Sequence, residues 1–214
     1  MPTKKPKEKP RKYRKYLIWF WLLFSAAILA VVMLFTAISL GWLGFMPGFE
    51  ELENPRSNLA SEIYSADKYL LGTYYVENRS NVHFSDLSPN LVDALIATED
   101  IRFRQHSGVD GRALSRVLYG IITGTHKGGG STITQQLAKN LFPRESNRNF
   151  LELALVKFKE WVTAVRLERN YTKDEIIAMY LNTVEFGHQA FGIKSAAMTF
   201  FGKRPADLSV EESA

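Results

Sequence analysis

The chain has 214 residues, 46% of them hydrophobic, and no cysteine. That length allows one or two domains, and the missing thiols exclude disulfides, thiolate zinc sites and cysteine nucleophiles. The net charge of +5 is confined to one end: eight Lys and Arg residues precede Tyr16 against the single acid Glu8, and beyond them acids and bases nearly balance. A basic nucleic-acid-binding face is therefore excluded.

Residues 1–16 read as a solvated basic tail. No charged residue occurs from Tyr16 to Phe49. The run Leu17 to Leu40 exceeds the roughly 20 residues that cross a hydrocarbon core of about 30 Å. Trp19, Phe20 and Trp21 near one end and Trp42 and Phe45 near the other suit interfacial belts. Gly41-Trp42-Leu43-Gly44 is a poor cleavage site for a secretory leader. Residues 17–46 are thus expected to be an uncleaved transmembrane anchor. The Lys and Arg residues before it predict a cytoplasmic N-terminus and an extracytoplasmic remainder.

Residues 47–87 are expected to hold a linker, with Pro47, Gly48, Asn54 and Pro55, and then a β-hairpin pedestal. Its strands are Ala60 to Ser65 and Tyr69 to Val76, turning at Ala66-Asp67-Lys68. From Ser88 the periodicity is helical. Ser88 and Pro89 open a helix whose Leu91, Ala94, Leu95 and Thr98 share a face. It runs into Glu99 and Asp100, two acids at a helix end, where the negative pole of the macrodipole disfavours them. A position that costs stability suggests an acid held towards a cleft.

A second helix is expected from Asp110 to Thr123, with Leu114, Val117, Leu118, Ile121 and Ile122 as a core face or a membrane-facing flap. The segment 123–130 contains four glycines and breaks it. Ser131 or Thr132 caps a third helix through Leu141. A helix over Phe150–Arg169 carries Leu151, Leu155, Phe158, Val162 and Val165, and pairs Lys157 with Glu160. Thr172 and Glu175 form a capping box for a helix through Leu181, and a further helix covers Gln189–Phe201. Ser209 and Glu212 announce another helix just before the last residue, so the chain is expected to be a fragment of a longer protein. There is no internal repeat.

The junction Gly129-Gly130-Ser131-Thr132-Ile133-Thr134-Gln135-Gln136 places a glycine loop at a helix N-terminus, suited to anions or sugar hydroxyls. It lacks the Gly-Lys-Ser/Thr ending of a nucleotide loop. His83, His106, His126 and His188 have no metal-binding spacing.

Four stretches in order resemble the peptidoglycan glycosyltransferases, the polymerase module of class A penicillin-binding proteins and of monofunctional wall polymerases. They are Glu-Asp-x-x-Phe-x-x-His-x-Gly at 99–108, Gly-x-Ser-Thr-x-Thr-Gln-Gln at 129–136, Lys-x-x-Glu at 157–160 and Lys-x-x-Ile-Ile-x-x-Tyr-Leu-Asn at 173–182. Phe186-Gly187, Phe191-Gly192-Ile193 and Phe201-Gly202-Lys203 are similar to a fifth motif. The resemblance implies a mainly α, lysozyme-like domain over residues 88–214, truncated at its C-terminal end, behind one transmembrane helix. It implies polymerisation of lipid II into glycan strands, with inversion and release of undecaprenyl pyrophosphate.

By motif match Glu99 is the general base, and Glu160 is a second catalytic carboxylate, orienting the pyrophosphate or a divalent cation, magnesium or manganese. Metal ligands beyond that stay open. Asp100, Phe103 and His106 hold the base. Ser131, Thr132, Thr134, Gln135 and Gln136 line the donor cleft, and Lys139 and Lys157 stabilise the pyrophosphate. The implied partners are lipid II, the growing glycan chain, membrane lipid, a C-terminal transpeptidase domain and wall-synthesis proteins, at the bacterial cytoplasmic membrane. Nucleic acid is not a partner. The family's third motif normally begins Arg-Lys, and here Val156 precedes Lys157. Arg144 and Arg148 are both candidates for the missing cation. The competing readings are a lysozyme-like wall-cleaving muramidase and a non-catalytic membrane-anchored scaffold.

Overall fold

The structure is a computed structural model that describes residues 12–43, 61–67, 70–74, 81–125, 129–141, 149–188 and 190–214. The basic tail before Lys12, the linker, part of the glycine loop, Arg144, Arg148 and Gln189 lie outside the described residues. The chain divides into two units, residues 1–46 and 47–214.

In the first unit, helix α1 runs Lys12–Ser39. Its segment Tyr13–Ser39 contains an 18-residue window with a mean hydropathy of 2.6 and is long and apolar enough to cross a membrane. The helix starts five residues earlier than the apolar run, because Lys12, Arg14 and Lys15 are good helix formers on its first turn. It ends at Ser39, where the Gly41 and Trp42 amides turn back onto the carbonyls of Ile38 and Ala37.

In the second unit, strands β1 (Ser61–Tyr64) and β2 (Leu70–Tyr74) pair antiparallel. The register sets Ser61 opposite Tyr74 and Ile63 opposite Gly72, with an irregularity after Ile63. Helix α2 (Pro89–Glu99) is capped by Ser88, whose Oγ accepts from the Asn90 amide at 3.2 Å. Helix α3 (Gly111–Thr123) is capped by Asp110, which accepts from the amides of Arg112 and Ala113. Helices α4 (Ile133–Leu141), α5 (Phe150–Asn170) and α6 (Lys173–Thr183) form the centre, with α4 packed on both others. Helices α7 (Ile193–Phe201) and α8 (Val210–Ser213) follow, and α8 packs on α2.

The core is built from Phe103, Ile133, Leu137, Leu167, Ile176, Ile177 and Leu181, all essentially inaccessible. Asn182 ties the segment before α2 to α6, accepting from the Val82 amide and donating to its carbonyl, both at 2.9 Å.

Three expectations change. Helix α7 begins at Ile193, because Gly192 stands at φ +81° and a side chain there would meet the Asn182 carbonyl oxygen at 2.9 Å. On α5 the buried stripe is Glu160, Thr163, Ala164 and Leu167, while Leu155, Phe158, Val162 and Val165 are half-buried. Ala164 stands in that stripe because the Gly108 backbone comes against it. On α3 the apolar face is not core: Leu118, Ile121 and Ile122 are 53%, 72% and 83% exposed.

Gly108 fixes the close contact with α5. Its φ is +87°, and an added Cβ would lie 2.8 Å from the Ala164 carbonyl carbon and oxygen. Gly108→Ala combines left-handed strain with a backbone clash that cannot relax by a rotamer change. It is expected to lower stability by about 2–4 kcal/mol, seen as a fall in the thermal midpoint.

Candidate active site

Glu99 is the last residue of α2 and is exposed, whereas Asp100 caps the helix and is buried. The adjacent acids therefore have different surroundings. Asp100 sits at the C-terminus of α2 but also at the N-terminus of α4, where its Oδ2 accepts from the Ile133 amide at 3.3 Å. The positive end of α4 offsets the negative end of α2. The same oxygen lies 2.9 Å from His106 Nε2. An ionised carboxylate only accepts, so that nitrogen carries the proton. His106 Nδ1 is buried and has no partner among the described residues. Asp100 thus locks the end of α2 to both the 103–105 turn and α4.

The turn is held from beneath. Phe103 is wholly buried, and Lys173 Nζ lies 4.2 Å from its ring centroid. Lys173 donates to the His106 carbonyl at 2.6 Å and to Glu168 at 2.8 Å. Glu168 in turn accepts from Thr134 Oγ1 at 2.5 Å. Lys173 is therefore a structural clamp. The Gly108 carbonyl accepts from Thr132 Oγ1 at 2.7 Å and from Gln135 Nε2 at 3.2 Å.

A cleft of about 440 Å³ opens above this frame, lined by Glu99, Asp100, Ser131, Thr132 and Gln136 together with Arg102, Asp110 and Arg116. Gln136 donates its amide to Glu99 Oε2 at 2.6 Å and accepts from the Tyr180 hydroxyl at 3.0 Å. Among the described residues Gln136 is the hydrogen-bond partner of Glu99, which leaves Oε1 for a substrate hydroxyl. Lys157 Nζ donates to Ser131 Oγ at 2.8 Å and to the buried Glu160 at 2.9 Å. The i,i+3 pair on α5 is thus attached to the cleft rim through Ser131.

The structure brings together Glu99, Asp100, His106, Ser131, Thr132, Gln136, Lys157 and Glu160. Thr134 and Gln135 do not line the cleft. Both are buried, Thr134 bonded to Glu168 and Gln135 to the Gly108 carbonyl, because successive positions on α4 turn by about 100° and of these three only Gln136 reaches the cleft. Lys139 is exposed, one turn beyond Gln136 on α4. Phe103 acts through packing.

Sequence reasoning missed Arg102, Asp110 and Arg116. Arg102 makes a bidentate contact with Asp110 Oδ2, at 2.9 Å from Nε and 2.5 Å from Nη2. Burial pushes the Asp110 carboxyl up, but the Arg102 guanidinium and the Ala113 and Arg112 amides outweigh it and hold the group below its ordinary value. Arg116 donates to the Gly129 carbonyl at 3.3 Å, so a cation of α3 borders the glycine loop. The one available signal was Asp110 standing directly before a helix, a capping position.

The implied divalent cation finds a poor donor set. Glu160 faces the Lys157 ammonium, and among the described residues no three carboxylate or imidazole groups converge. Among the described residues Lys157 supplies a positive charge at this position.

Comparison with known proteins bears on this arrangement. The family model described as Transglycosylase matches residues 67–214. The chain belongs to the transglycosylase family. It is 40% identical over 156 residues to penicillin-binding protein 1F of Bacillus subtilis, covering 72% of this chain and 21% of that protein. It is 38% identical over 170 residues to penicillin-binding protein 1A of Escherichia coli, covering 79% of this chain and 19% of that one. Penicillin-binding protein 1A of Neisseria lactamica is 36% identical over 196 residues, or 91% of this chain and 24% of the relative. The chain therefore spans about a fifth to a quarter of the length of these relatives. All the cleft residues lie within the matched range.

Proposed function

We infer that this chain is the glycosyltransferase part of a peptidoglycan polymerase, lengthening glycan strands from lipid II. The observation that carries the reading is an exposed carboxylate, Glu99, held by Gln136 in a cleft whose rim carries Lys157 through Ser131. An attacking sugar hydroxyl needs a base within hydrogen-bond reach. Glu99 takes the proton from the acceptor hydroxyl as that oxygen bonds to the anomeric carbon of the growing chain. The bond to undecaprenyl pyrophosphate breaks with inversion, and its negative charge builds against Lys157, with Lys139 further along the same side. Glu160 fixes the Lys157 ammonium. No step runs through a metal ion.

In this reading α1 is a single-pass anchor in the cytoplasmic membrane, with the N-terminus inside. The domain has a lysozyme-like fold, and the strand pair stands as a pedestal above the bilayer. Its partners are lipid II, the growing chain and membrane lipid. A transpeptidase domain is a further candidate, since the relatives named penicillin-binding proteins are much longer.

The deciding assay incubates the protein with lipid II and, separately, with finished wall. Glycan strands from the first and no cleavage of the second support a polymerase. Cleavage without polymerisation indicates a muramidase, and binding without turnover a scaffold.

The bare face of α3 predicts contact with the bilayer. The chain without residues 1–46 is expected to bind lipid vesicles, and replacing Ile121 and Ile122 together by Ser to weaken that binding by at least about tenfold. No vesicle binding by the parent would remove the membrane contact from the reading.

A further inference from the structure

Tyr180 belongs to the fourth motif, yet nothing in the reaction above uses it. It is a core residue of α6, 7% exposed, on the buried face with Ile176, Ile177 and Leu181. Its hydroxyl reaches out of the core to Gln136 Oε1 at 3.0 Å, and the other end of that amide donates to Glu99 Oε2 at 2.6 Å. Three side chains from α6, α4 and α2 therefore form one directional chain. We propose that Tyr180 is a positioning residue for the base, holding the Gln136 amide with its NH2 group towards Glu99. The proposal rests on the reading of Glu99 as the base.

The direction follows from the groups. A carboxylate accepts only, so Glu99 requires the NH2 end of Gln136, and Oε1 is left facing α6. Inside a protein an unmatched carbonyl there would be costly, and a free glutamine side chain has several rotamers. The phenol meets both needs, because it donates to Oε1 and is itself fixed by core packing. The donor is durable. Burial, and secondarily the Glu99 charge, push the Tyr180 phenol up to about 12, so it keeps its proton throughout the working range. A donor on Oε1 also polarises the amide and strengthens its bond to the carboxylate. Gln136 leaves Glu99 with one oxygen occupied and the other aimed into the cleft. Without Tyr180 the amide can swing or flip, and Glu99 then samples orientations that miss the hydroxyl.

The test is a double-mutant cycle with Tyr180→Phe and Gln136→Met, read by lipid II polymerisation and by NMR of the 15N-labelled glutamine side-chain amides. Tyr180→Phe is expected to lower kcat about 5- to 20-fold and leave KM for lipid II within about twofold. Gln136→Met is expected to lower kcat about 10- to 100-fold. The double variant should be no worse than Gln136→Met alone, because Tyr180 acts only through the amide. In Tyr180→Phe the Gln136 NH2 signals, assigned by their loss in Gln136→Met, should move towards those of a free glutamine. Additive losses, a change confined to KM, or unmoved Gln136 signals would each overturn the proposal. Moved signals in a protein that does not polymerise lipid II would support the positioning of Gln136 and sink the reading of the activity.

Discussion

Glu99→Gln is expected to reduce lipid II polymerisation by about a thousandfold or more while leaving the thermal midpoint within a few degrees. General-base catalysis contributes about 10²- to 10⁴-fold, and the upper part of that range applies where the nucleophile is an alcohol. The substitution keeps the shape of the side chain and an oxygen that accepts from Gln136. It removes only the negative charge and the capacity to take a proton. Because Glu99 is exposed, the change leaves no buried group unsatisfied. Asp100→Asn makes the instructive contrast. Asp100 is buried, and one oxygen serves both His106 and the Ile133 amide. An asparagine can set its carbonyl oxygen on both donors but lacks the negative charge that strengthens the two bonds, so the frame weakens and stability falls together with rate. Separate responses at adjacent acids are what their different surroundings require. A Glu99→Gln protein that still made strands within tenfold of the parent rate would remove Glu99 as the base.

How far the sequence led depended on whether a feature was local. The caps at Ser88, Thr172 and Ser209 were legible because each side chain bonds an amide two or three residues away. The odd acid pair was legible as an anomaly. What resolved it, the N-terminus of α4 lying against the C-terminus of α2, is a contact across 33 residues that no periodicity encodes. The same holds for Lys173, whose partners come from two segments, Phe103 and His106 from the turn after α2 and Glu168 from α5. On α5 the apolar residues singled out in the sequence, Leu155, Phe158, Val162 and Val165, are half-buried, and the fully buried stripe lies beside them. The side that meets the Gly108 turn has room only for Ala164 and its small neighbours, and close approach is invisible to a hydrophobicity count. Arg116 entered the cleft because α3 lies beside Gly129 and Gly130, and Arg102 because it pairs with Asp110 at the head of α3. Thr134 and Gln135 left it because a motif read in line does not say which of its side chains point the same way.

Lys157→Met is expected to cut polymerisation by about 10²- to 10³-fold, the loss typical when one stabilising group for a developing charge is removed. The position is exacting in this chain, since Val156 stands where the family carries a second cation. Lys157 holds two roles at once, as donor to Ser131 at the cleft rim and as neighbour to buried Glu160. Removing it deprives Glu160 of an ammonium at 2.9 Å, so some activity could be lost through instability alone. Adding Glu160→Gln separates the two effects. The double variant has no buried carboxylate facing a vacated charge, and its thermal midpoint should return towards that of the parent. Its polymerisation should not return, because the Lys157 ammonium that meets the departing pyrophosphate is still missing. Recovery of both quantities would assign Lys157 to the fold and leave the pyrophosphate to another cation, for which Arg116 at the Gly129 carbonyl is a candidate among the described residues of the cleft. Recovery of the midpoint alone places Lys157 in the chemistry.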